Sequence, residues 1–134
     1  MDLQPLPNDA LATSYLRHWQ LSTGIETGEP DELRALRPVA DEIDDAADSG
    51  TLPIGVLDAL IQHPHGSPSF RAYVAAGPVE QILTTHADRY ADELAERCRR
   101  DERWAETLAA VWLDKKQWRR LPDDLRRVIP QPKR

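Results

Sequence analysis

Between Ser67 and Asp114 the chain is cut by stop and start signals every few residues, with apolar residues recurring between them at offsets of three and four. That pattern reads as four short helices. Ser67 is a natural N-cap, and Pro68 suits a first helical position, where a proline loses no useful N–H. Phe70, Tyr73 and Val74 follow on one face. Ala76-Gly77-Pro78 reads as a tight corner, with Gly77 left-handed at the end of one helix and Pro78 opening the next. Val79, Ile82 and Leu83 mark the second helix, which His86 closes. Thr85-x-x-Asp88 fits a capping box for a third, striped by Tyr90, Ala91, Leu94, Ala95 and Cys98. Arg99 and Arg100 place positive charge in its last turn, and Asp101 caps a fourth helix carrying Trp104, Leu108, Val111 and Trp112 on one side.

The pattern repeats within the chain. A shift of 34 residues lays Val56 on Tyr90, Leu60 on Leu94, Phe70 on Trp104 and Val74 on Leu108. A period in the thirties suits helical hairpins, although two similar amphipathic stripes would give the same result.

The flanking segments read alike. Pro5 and Pro7 make an extended lead-in to a helix capped by Asn8, with Leu11, Tyr15, Leu16 and Trp19 on one face. After a Gly- and Pro-containing loop, Asp31 is placed to cap a helix bearing Leu33, Leu36, Val39, Ile43 and Ala47. Pro38 is expected to kink or restart it, and Ser49-Gly50 to stop it. Pro53 opens a helix with Ile54, Leu57, Leu60 and Ile61 that ends before Pro64. Beyond Asp114 a D-x-x-Q pattern restarts a helix through Trp118, another begins at Pro122, and residues 131–134 are expected to fray. No alternating β-branched run is present. The expected fold is all-α, a single domain over residues 1–134 built as a compact stack of about seven short antiparallel helices. HEAT-like hairpins over residues 52–114 are one form of it, with residues 115–134 as a basic arm.

Two tracts carry a resemblance. The run from Ala76 to Leu83 followed by His86, and then Arg100-Asp101-Glu102-Arg103-Trp104 leading to Val111-Trp112, resemble a bacterial domain family of unknown function. Its hallmark is A-G-P-(L/V)-E-x-(L/I)-L-x-x-H followed by an R-D-x-x-(F/W) helix. The likeness covers residues 52–114 well and the first fifty loosely, and it supplies no catalytic residues. Trp104 stands where the family usually has Phe.

Composition narrows the class. With 30% charged and 40% apolar residues among 134, the chain is long enough to bury a core and too apolar for disorder. One cysteine permits no internal disulfide, MDLQPLPND lacks the features of a signal peptide, and no run is long enough to span a membrane. A cytoplasmic location is the expectation. The net charge of −6 is uneven: residues 1–66 hold twelve acidic and three basic groups, and residues 67–134 hold eleven and fourteen. Such polarity bears on partners rather than on fold.

No segment matches a nucleophile elbow, an S-x-x-K motif, a Cys–His pairing or a phosphate-binding loop. His63 and His65 offer two imidazoles across a proline, but Asp58 is the only nearby carboxylate, and zinc sites need three protein ligands or more. An exposed interhelical loop is the plainer expectation there. His86 reads as a helix-end residue and Cys98 as a buried, inert thiol. No cofactor or metal is expected. Asp41, Asp44, Asp45 and Asp48 share one helical face, either a solvated face or a patch for a basic partner. The C-terminal cations are interleaved with Trp118, the tryptophan expected to be exposed; Trp19, Trp104 and Trp112 are placed in the core. The overall acidity argues against nucleic acid, so the arm is expected to pack back or to meet the acidic half.

These features favour a non-enzymatic protein-binding module with a basic protein partner. Its sharper form is an immunity- or antitoxin-like inhibitor using Asp41, Asp44, Asp45, Asp48 and Trp118. The alternatives are a small enzyme using His63, His65 or His86 with an aspartate, and a self-associating module whose acidic and basic halves pair between copies.

Overall fold

The computed structural model describes residues 7–132, and the described residues form helices without strands. In chain order they are α1 (Asn8–Ser22), α2 (Pro30–Ser49), α3 (Ile54–Ile61), α4 (Pro68–Val74), a π-type turn (Ala75–Val79), α5 (Glu80–Thr85), α6 (Ala87–Arg100), α7 (Glu102–Ala109), α8 (Lys115–Arg119) and α9 (Asp123–Val128). The lead-in at Pro5 and the last two residues of the fraying tail lie outside the described residues.

Local chemistry sets many of the boundaries. The Ser67 hydroxyl accepts the Phe70 N–H at 3.1 Å, and the Asp101 carboxylate accepts the N–H groups of Arg103 and Trp104. Asp114 and Gln117 form the reciprocal capping box that starts α8. Gly50 ends α2 at φ 73°, a left-handed position.

Four capping or turn assignments need correction, and one of the two outcomes open at Pro38, a restart, drops out. Asn8 and Asp31 do not cap: Pro7 and Glu29 precede the two helices, and Pro30 takes the first helical position of α2. Helix α2 does not restart at Pro38. Arg34, whose carbonyl loses its partner to the proline, is exposed, as is Pro38, so water can take that bond. Thr85 does not cap α6; its hydroxyl bonds back to the Gln81 carbonyl at 2.6 Å. Gly77 is not left-handed, having φ −101° and ψ −107° inside a π-type turn that carries α4 into α5. The Glu80 N–H reaches back to the Ala75 carbonyl, a wider loop that passes over Pro78, which has no N–H to give.

One core runs through the chain. Helix α1 packs on α2 and α3, α5 packs on α2 and α6, and α6 packs on α7 and α9. Tyr15, Leu57, Leu60, Ile61, Phe70, Val74, Ile82, Leu94, Trp104, Leu108 and Leu125 are among its fully buried side chains. Each aliphatic or Phe side chain so buried favours folding by about 1.5–3 kcal/mol over leaving it in water. The 34-residue echo has a physical basis here, since all eight residues of its four apolar pairs are buried and α4 so shifted falls within α7. It fails at the ends: Ala75 is buried in the π-type turn, whereas Ala109 is exposed. Leu121, Leu125 and Ile129 are also buried, so the C-terminal arm packs back, through α9 onto α6.

Candidate functional site

Helix α2 owes its orientation to Ala40, Ile43 and Ala47, which are buried against the body. Their spacing turns Asp41, Asp44, Asp45 and Asp48 outward, and all four are exposed. The structure gives these carboxylates unequal work. Asp44 Oδ1 accepts the Tyr15 hydroxyl at 2.9 Å. Although the residue is exposed as a whole, loss of water around its carboxyl raises the Asp44 pKa despite that bond, and the neighbouring charges of Asp41 and Asp45 push the same way. Burial first, and then the charge of Asp44, raise the Tyr15 pKa and keep its phenol a donor. Asp48 Oδ1 accepts from Gln81 Nε2 at 2.6 Å, and its backbone carbonyl accepts from His86 Nε2 at 2.7 Å. Asp41 and Asp45 make no hydrogen bond or ion pair among the described residues.

These carboxylates border a groove of about 370 Å³. Asp44, Asp45 and Asp48 form one wall; Tyr73, Gly77, Pro78 and Gln81 form the other. Its aromatic end is fixed from beneath: the Tyr73 ring lies 5.9 Å from Tyr15 and 6.1 Å from Trp19. A groove with anionic and aromatic walls suits a cationic side chain, which both charge and a ring face attract.

Trp118 does not join this site. Its indole N–H donates to the Ile129 carbonyl at 2.9 Å, and its half-buried ring packs on the core. The two expectations about tryptophan exposure are therefore reversed, because Trp112 is 84% exposed. Helix α7 ends at Ala109 and the capping box opens α8 at Lys115, so Trp112 lies in a non-helical connector. Val111 and Leu113 on either side are each 8% exposed, the in–out alternation of extended chain. The capping box at Asp114 marks a helix start close by, a sign that the stripe of α7 ends before it.

The histidine loop differs from expectation too. His65 is exposed, but His63 is buried. The His65 N–H donates to His63 Nδ1 at 3.1 Å, leaving the proton on Nε2, which donates to Thr13 Oγ1 at 2.9 Å. Both ring nitrogens are thus committed, and burial lowers the His63 pKa. The same tautomer withholds from Thr13 a base that could activate its hydroxyl. Among the described residues no group of three or more His, Cys, Asp or Glu side chains is arranged to hold a metal ion. Cys98 is buried, and burial pushes its thiol up to about 11.

Among the described residues no helix is long and apolar enough to cross a membrane. In sequence, a family of unknown function (DUF6869) matches residues 34–128, a span that takes in the acidic face of α2 and the helices through α9. Comparisons with curated proteins and with solved structures return no match.

Proposed function

We propose, from the premise that this chain belongs to the family of unknown function DUF6869, that it is a cytoplasmic protein-binding module that docks a basic partner on the acidic face of α2. The observation that carries this reading is the groove in which Asp44, Asp45 and Asp48 face the Tyr73 ring. A lysine or arginine of the partner would enter it. Asp41 and Asp45, free of internal bonds among the described residues, would steer the approach. Charge steering of this kind raises association rates more than it raises affinity. An immunity- or antitoxin-type inhibitor is the sharper form, since such a protein needs a charged docking face rather than catalytic groups.

The test is capture from extract of the native host, comparing the wild-type chain with an Asp41→Lys/Asp45→Lys variant. These two positions are chosen because Asp44 and Asp48 also hold the fold together. The expected result is a basic protein retained by the wild type at low salt, released by high salt and missed by the variant. Recovery of no basic partner, or equal capture by both chains, would end the reading.

A further inference from the structure

Two of the large apolar side chains stand well out of the surface, Trp112 at 84% and Ile25 at 57% exposed. They occupy regions of opposite charge. Trp112 borders an apolar groove of about 600 Å³, with Val111 and Leu113 beside it in the connector and Ile129, Pro130 and Pro132 also lining it. Helix α8 begins just after Asp114, which lines the groove, and Lys115, Lys116 and Arg119 on that helix are exposed. The one carboxylate on the rim, Asp114, is engaged in capping, accepting the Gln117 N–H at 2.7 Å. Ile25 projects from the loop between α1 and α2, beside exposed Glu26, Glu29 and Asp31. That loop is held in shape by the left-handed turn at Gly24 and by the Glu26 N–H, which donates to the Gln20 carbonyl at 3.1 Å.

We propose that this chain associates with itself head to tail, the Ile25 loop of one copy seating in the Trp112 groove of the next. Ile25 supplies the apolar anchor the groove lacks. Glu26 and Glu29 beside it meet the cations of α8, the helix that follows the groove in the chain, while Asp31 is paired with Arg34. A two-fold pairing of groove with groove would set those cations against their own copies, so like charge opposes it. A head-to-tail contact uses two different patches and leaves one of each free, so the assembly grows into a ring or a chain. The contact is separate from the α2 groove and stands whether or not a basic partner docks there.

The test uses sedimentation of the full chain and of two variants, Ile25→Asp and Trp112→Ala, whose folding is checked by circular dichroism. Both positions are exposed, so the helical signal should hold. The wild type should grow in mass with concentration and shrink at high salt. Each variant alone should stay monomeric, with association weakened by about thirtyfold or more, as for a central aromatic anchor. An equimolar mixture of the variants should form a one-to-one pair that grows no further, since one copy retains the groove and the other the loop. Iodide quenching of the exposed tryptophan should fall as that pair forms. A wild type monomeric at its highest soluble concentration would overturn the proposal. So would an Ile25→Asp chain that self-associates as the wild type does, which would indicate groove-to-groove pairing.

Discussion

The indole N–H of Trp104 donates to the carboxylate of Asp58 at 2.8 Å, joining α7 to α3 across 46 residues of sequence. Arg97 completes the arrangement from α6, its guanidinium 3.0 Å from the same oxygen and 5.5 Å from the indole centroid. Trp104 is 1% exposed, so without Asp58 its N–H would have no ready partner. Asp58→Ala should therefore cost about 1–3 kcal/mol in urea unfolding. Asp58→Asn keeps an oxygen that can accept and should cost less. Equal losses in the two variants would place the effect in the Arg97 ion pair instead.

Gly50 and Gly24 both have positive φ, 73° and 76°, but their surroundings differ. A Cβ at Gly50 would lie 2.7 Å from His86 Nδ1, whereas one at Gly24 would meet nothing within 4 Å. Gly24→Ala should cost about 1 kcal/mol, the backbone strain alone. Gly50→Ala should cost about 2–4 kcal/mol, because the His86 ring must also move. Chemical denaturation of the two variants measures the difference, and equal values would refute the steric account.

The Cys98 thiol should be silent to a thiol reagent until the chain unfolds, since burial holds its pKa at about 11 against 9.0 when free. A group whose pKa is higher folded than unfolded binds its proton more tightly in the folded state. Its contribution is therefore complete below about pH 9 and is lost as pH rises through about 11. This amounts to at most about 2–3 kcal/mol, and to less where solvent screens the partly buried thiol. The Tyr90 phenol, also raised by burial, acts with the same sign at high pH. Cys98→Ala should flatten the first part of the alkaline loss and leave the tyrosine part. An unchanged alkaline profile would count against the buried thiol.

Asp44 is also raised, so folding favours its protonated form. The stability that this supplies at low pH is lost as pH rises through the raised value, and at neutral pH the ionised carboxylate is a small burden. Asp44→Asn keeps an acceptor for Tyr15 and removes the repulsion from Asp41 and Asp45. Thermal unfolding at neutral pH should show a gain of a few tenths of a kcal/mol, kept small by solvent screening. A loss of stability would mean that the bond to Tyr15 requires the charge.

What the sequence disclosed was what neighbouring residues decide among themselves. The caps at Ser67, Asp101 and Asp114 and the stop at Gly50 are bonds closed within a few residues, and each was legible. The stripe from Tyr90 to Cys98 was legible because the helix carrying it is long. Thr85 misled because a hydroxyl at a helix boundary can bond backward to Gln81 as readily as forward. Trp112 lies outside the core because α7 stops at Ala109, before the apolar stripe reaches it. The acidic face of α2 followed from periodicity, but which carboxylates are free did not. Tyr15 and Gln81, which occupy Asp44 and Asp48, come from helices 29 and 33 residues away. His63 was misplaced for the same reason: Thr13, its partner, is 50 residues distant.

Pro38 has one more consequence. A proline carries no amide hydrogen, so the hydrogen-bond ladder of α2 has a missing rung in its middle. On the N-terminal side Leu33 and Leu36 are only half-buried, while on the other Ala40, Ile43 and Ala47 are sealed. The first two turns, tied to α1 by the Arg17–Glu32 ion pair at 2.7 Å, should exchange their amides with solvent sooner than the turns that display Asp41 to Asp48.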